Sequence, residues 1–177
     1  MAEAELNLNV EQELNAEQMS DNEADEAPKD QYLIFSVDEE CFGIDINFVR
    51  EIIGMEPVTA VPDLPDYIKG VINLRGKVVP VMDMLIRFQK PPRAYTDRTC
   101  IVVVEIENIF MGLIIDEVLE VISIMEEEIM SLPKGGKESI TNRYAWGVVR
   151  SSDGVRMLLD GKKLIEKEEQ KKEREKI

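Results

Sequence analysis

The stretch that decides the fold is Tyr67–Met84, YIKGVINLRGKVVPVMDM. It reads as two apolar strands, IKGVINL and KVVPVMD, joined by a turn at Arg75-Gly76-Lys77, where a glycine suits positive φ. Lys69, Asn73 and Arg75 stand among valines, isoleucines and a leucine, and Pro80 lies inside the second run. A guanidinium keeps its charge, so Arg75 has to reach water or meet a carboxylate. Glu51, in the run FVREII, is the candidate partner. Val49 and Ile53 stand at strand spacing from it, as if on one face.

Working outward, the chain between Tyr32 and Asp160 is a series of short runs rich in β-branched and aromatic residues. They include YLIFSV, CFGIDI and FVREII before the hairpin, then TCIVVVEI, FMGLIID, EVLEVISI, YAWGVVR and GVRMLLD after it. DMLIRF and MEEEIM suit single helical turns. QKPPRAYTD is a linker and PKGGKES a flexible loop. A C-terminal helix is expected from Gly161 onward through KKLIEKEEQKKEREKI.

These runs repeat. At an offset of 69, Gly43 falls on Gly112, Ile44 on Leu113, Ile46 on Ile115, Val49 on Val118, Glu51 on Glu120 and Ile53 on Ile122. At an offset of 77, Tyr67 falls on Tyr144, Gly70 on Gly147, Val71 on Val148 and Asp83 on Asp160. An insertion of eight residues near PKGGKES accounts for the change of offset. A duplicated unit of short strands predicts an all-β fold of small closed barrels, because closure removes exposed strand edges. Two barrels side by side are expected to leave a groove between them.

Charge and composition bound the function. The 177 residues carry a net charge of −15, and 44% are apolar, enough to build a core. Residues 1–31 hold ten acids and one base and are expected to be a disordered acidic leader. Residues 165–177 form a charged tail, which leaves 32–164 as the domain. A chain this acidic is not expected to bind nucleic acid, and with no apolar run near the roughly 20 residues of a span it is not expected to insert directly into a membrane. No histidine is present, which removes the commonest general acid-base group and metal ligand. Cys41 and Cys100 are too few and too far apart for a zinc site and read as reduced thiols in or near the core. The repeat-related Asp83 and Asp160 suggest an aspartyl-type hydrolase as one alternative. The favoured reading is that each caps the helical turn following it. Glu126–Glu128 reads as a solvated face, and Trp146 as core or a packed barrel end.

YIKGVINLRGKVVPVMDM, preceded by FGIDINFVREII and followed by FMGLIIDEVLEVISI, resembles the CheW family, over roughly Gln31 to Leu164. The resemblance implies two intertwined SH3-like five-stranded β-barrels, no catalysis and no cofactor. It implies a cytoplasmic adaptor, recruited to membrane-associated receptor arrays, that couples transmembrane chemoreceptors to the histidine kinase CheA. The expected partners are the CheA regulatory domain and the cytoplasmic hairpin tip of the methyl-accepting receptors. Carried over by position, the receptor-facing residues are Val49, Glu51, Gly70, Arg75, Cys100, Gly112 and Val121, with Glu51 and Arg75 as an ion pair. A side chain at Gly70 is expected to intrude on the groove. The kinase-facing residues stay unassigned. A CheW-like module of the CheV type is the other alternative.

Overall fold

The computed structural model describes residues 30–132 and 140–166. The loop PKGGKES, the tail beyond Glu166 and the leader up to residue 29 lie outside them. Among the described residues there are ten strands and two short α-helices. The first half holds β1 (Asp30–Val37), β2 (Glu40–Asp45), β3 (Val49–Gly54), β4 (Ile68–Leu74), β5 (Lys77–Asp83) and α1 (Met84–Arg87). The second holds β6 (Cys100–Ile106), β7 (Ile109–Ile115), β8 (Glu117–Ile124), β9 (Ala145–Ser151), β10 (Gly154–Leu159) and α2 (Gly161–Ile165). β1 begins two residues ahead of Tyr32, because Asp30 and Gln31 extend the ladder by pairing with Ile124 and Ser123. Of the expected C-terminal helix, Gly161–Ile165 is helical and Glu166 has extended dihedrals, φ −60° and ψ 135°; the rest lies outside the described residues.

The strands form two five-stranded sheets, ordered β8-β1-β2-β10-β9 and β3-β6-β7-β5-β4. Replacing each first-half strand by its second-half mate converts one order into the other. Neither repeat makes a barrel alone, however: β1 and β2 join three strands of the second half, and β6 and β7 join three of the first. The simple picture of one barrel per repeat gives way to exchange, in agreement with the intertwining that the family resemblance implies.

The duplication extends to irregularities. Val49 pairs with Val104 and Glu51 with Val103, leaving Arg50 as a bulge. Phe35 pairs with Val118 and Ile34 with Glu120, leaving Leu119 as the same bulge 69 residues on. Each sheet is closed by one bridge, Thr59 to Val71 and Met130 to Val148, with paired N–H···O bonds of 2.8–2.9 Å. Twelve residues separate the partners of the first bridge and eighteen those of the second. Six of the eight inserted residues thus lie in the interval that contains PKGGKES.

Alternation along the central strands divides the core into three. Ile101 and Val103 of β6 face the interior of one barrel with Ile72, Val79, Val81 and Ile114. Tyr32 and Ile34 of β1 face the other with Ile124, Val149 and Leu158. The opposite faces, Leu33, Phe35 and Val37 on β1 and Val102, Val104 and Ile106 on β6, meet in the largest cluster, between the sheets. Both faces of β1 and β6 are buried, which is why LIF and IVVV read as continuous apolar runs. Phe35, Phe42 and Phe88 stack through this middle layer, with ring centroids 6.1 and 4.9 Å apart. Each fully buried large side chain there contributes about 1.5–3 kcal/mol.

Candidate functional site

The β4–β5 hairpin carries the site. Leu74 pairs with Lys77, so the loop is two residues, Arg75 at φ 53° and Gly76 at φ 83°. Two positive φ values make the type I′ turn that matches strand twist. Asn73 Oδ1 accepts the Gly76 N–H at 2.9 Å. The turn directs the Arg75 guanidinium to β3, where Nη2 lies 2.6 Å from Glu51 Oε1. The arginine side chain is 79% exposed and the glutamate 26%. The arginine therefore tips the hairpin at a barrel mouth and is not buried among valines. Beside it, Lys77 Nζ sits 3.0 Å from the centroid of the Phe110 ring.

The other positions fall in different environments. The bulge at Arg50 overturns the expected common face of Val49 and Ile53: Val49 packs on the cluster between the sheets and Ile53 on a barrel interior. Gly70 is buried at φ 146°, and a Cβ there would lie 2.1 Å from the Thr59 carbonyl oxygen. The obstacle to a side chain at Gly70 is thus the closing bridge rather than a groove. Gly112 is also buried, with a Cβ meeting Ile101 Cγ2 at 2.9 Å. Cys100 is half-buried against the central cluster, and burial pushes its thiol up despite a backbone hydrogen bond at Val118. Val121 is open to solvent on β8. Ile52, its mate at offset 69, is exposed too. Sequence reading passed over Ile52, although the repeat pointed to it.

Among the described residues, the space between the barrels holds a packed layer. Nineteen buried residues fill it. Ile52 pairs with Val102 and Val121 with Leu33, so each stands on a strand beside this layer, and both are exposed.

Residues 31–169 match the family model described as the CheW-like domain. The chain belongs to the CheW family. Chemotaxis protein CheW of Klebsiella aerogenes is 34% identical over 146 residues, covering 82% of this chain and 87% of that protein. Chemotaxis protein CheW of Bacillus subtilis is 33% identical over 136 residues, covering 77% and 86%. The crystal structure of scaffolding protein TtCheW from Thermoanaerobacter tengcongensis superposes with a TM-score of 0.72 at 33% identity, covering 79% of this chain and 94% of that one.

In this CheW-family chain the two repeat-related aspartates are helix caps. Asp83 Oδ1 accepts the Leu85 N–H at 2.9 Å, and its Oδ2 accepts the Tyr95 hydroxyl at 2.9 Å. Asp160 Oδ1 accepts the Lys162 and Lys163 N–H groups at 3.1 and 3.3 Å. The same backbone bond precedes each cap, Asp83 N–H to Tyr67 O and Asp160 N–H to Tyr144 O. Burial, then the bond to Asp83, pushes the Tyr95 phenol well above its usual range.

Trp146 departs from the expectation of a core residue. It is 43% exposed on β9, where its repeat mate is Lys69, and with Ile129, Met130 and Ser131 it lines a shallow depression of about 250 Å³. Glu126–Glu128 form a solvent-facing 3-10 turn at its edge, as expected of a solvated face. Among the described residues no helix is long and apolar enough to cross a membrane.

Proposed function

We propose that this chain is the non-catalytic adaptor of a chemotaxis system, coupling transmembrane chemoreceptors to the histidine kinase CheA. The observation that carries the reading is the family match over residues 31–169, with strand exchange and cap geometry intact in both halves. The proposed partners are the CheA regulatory domain and the helical hairpin tip of the receptors, met in the cytoplasm at the receptor array. Helix-in-groove docking needs apolar margins with charges that set orientation. Ile52 and Val121 supply exposed apolar margin, and the Glu51–Arg75 pair supplies charge beside one of them. On this reading Glu51, Arg75 and Val121 touch the receptor directly. Val49, Gly70, Cys100 and Gly112 shape the surface from beneath. The burial of Gly70 and Gly112 and the exposure of Arg75 and Val121 support this division. Both aspartates are engaged as caps, which favours an adaptor over a hydrolase.

The test is a calorimetric titration of the full chain with the isolated CheA regulatory domain of the same organism. Saturable binding near one to one, at micromolar affinity or better, is expected. Absence of binding between two folded proteins would sink the proposal.

A further inference from the structure

Arg87 ends α1 and is 2% exposed. Its mate at offset 77 is Leu164 of α2, fully buried in the cluster between the sheets. Equivalent positions of the duplicated fold thus hold a cation and an aliphatic side chain. The guanidinium serves the other repeat. Its Nε and Nη2 donate to the Leu164 carbonyl at 3.1 and 2.9 Å, and Nη2 donates again to the Glu166 carbonyl at 2.7 Å. Its central carbon lies 4.1 Å from the Tyr67 ring centroid and 4.8 Å from that of Tyr144, so one cation stacks on both mates of a repeat-related tyrosine pair.

The two helices also end differently. Behind α1 the backbone supplies the donors: Phe88, Gln89 and Lys90 N–H groups reach the Met84, Ile86 and Leu85 carbonyls, with Gln89 at φ 55°. Behind α2 the Glu166 N–H reaches the Lys162 carbonyl at 3.1 Å, and the chain then leaves the helix. The Leu164 and Glu166 carbonyls are met by Arg87. Helix ends need such partners, and a helix of five residues has little stability of its own.

We infer that Arg87 is a latch: it docks α2 onto the body across the junction of the two repeats. Loss of this tie releases α2 as a local unit while the ten strands stay folded.

Hydrogen exchange on the full chain tests this. In Arg87→Met, which keeps an apolar stem of similar length, peptides covering 161–166 should exchange about tenfold faster than in the parent. Peptides covering β6 should be unchanged. Arg87→Lys, which keeps the cation without the forked donors, should move the same peptides in the same direction by less. Equal acceleration of α2 and β6, or none in α2, overturns the inference. Should Arg87→Met fail to fold, Arg87→Lys decides by the same criterion: acceleration confined to 161–166 supports the latch, and any other pattern rejects it.

Discussion

At the scale of single residues, two positions five apart in the sequence, Gly70 and Arg75, separate contact from architecture. Arg75 is a largely solvated turn residue whose ion pair with Glu51 spans the mouth of a barrel. Exposed pairs of this kind contribute about 0–1 kcal/mol, because water screens them and ordering two long side chains costs entropy. Gly70 lies on β4, the strand that leads into the turn, and its missing Cβ is what lets Thr59 and Val71 bond. Arg75→Ala should therefore change stability by less than about 1 kcal/mol while lowering receptor-dependent kinase activation. Gly70→Ala should cost about 2 kcal/mol or more, since it meets backbone rather than a yielding side chain at positive φ. Urea unfolding followed by circular dichroism measures both. If Arg75→Ala is as damaging as Gly70→Ala, the pair is structural. That Arg75 has to reach water or meet a carboxylate, with Glu51 as the candidate, was legible in the sequence, and the residue does both. The bulge at Arg50 was not legible: a strand with one extra residue keeps its composition and changes only which side chains face inward.

At the scale of elements, α1 and α2 each begin on an aspartate, yet the two caps differ in what else they hold. Asp160 satisfies backbone N–H groups at its helix start and is partly solvated. Asp83 is buried and also anchors the linker between the repeats through Tyr95. Asp160→Ala should cost about 1 kcal/mol and Asp83→Ala about 2 kcal/mol in the same unfolding assay. The linker also predicts a pH effect. The Tyr95 phenol is raised in the folded chain, so the neutral form is favoured there. Its contribution is fully present below the unfolded phenol value of about 10 and is lost as pH rises toward the folded value. The stability difference between the parent and Tyr95→Phe should thus be constant from pH 7 to about 9.5 and shrink above about pH 10. A difference that persists unchanged to pH 11 would mean the bond to Asp83 is absent in solution. The caps could be read from sequence because Asp before a short apolar helical turn is a local pattern. The Tyr95 contact could not, since it depends on where a loop lies.

For the whole molecule, the strand count, the duplication and the site of the insertion were all readable, because each is a statement about order along the chain. Which strands pair is a statement about space, and alternation alone leaves it open. The runs LIF and IVVV did hold a clue, since only a strand covered on both faces is apolar at consecutive positions. Those two strands, β1 and β6, each belong to one sheet and bury one face against the other sheet. Neither barrel is therefore expected to melt while the other stays folded. Leu113 on β7 tests this directly, because its side chain enters the shared cluster from the sheet that does not contain Trp146. Leu113→Ala should remove about 2–5 kcal/mol. It should shift the urea midpoint seen by Trp146 fluorescence, which reports the β9 barrel, as far as the midpoint seen by far-ultraviolet circular dichroism, which reports all strands. Two separated transitions, with the fluorescence midpoint left in place, would show that the barrels are independent units and that the shared layer is only a contact between them. A single shifted transition would make the shared layer the thermodynamic centre of the fold, with the hairpin that bears Arg75 held in position by both halves of the chain.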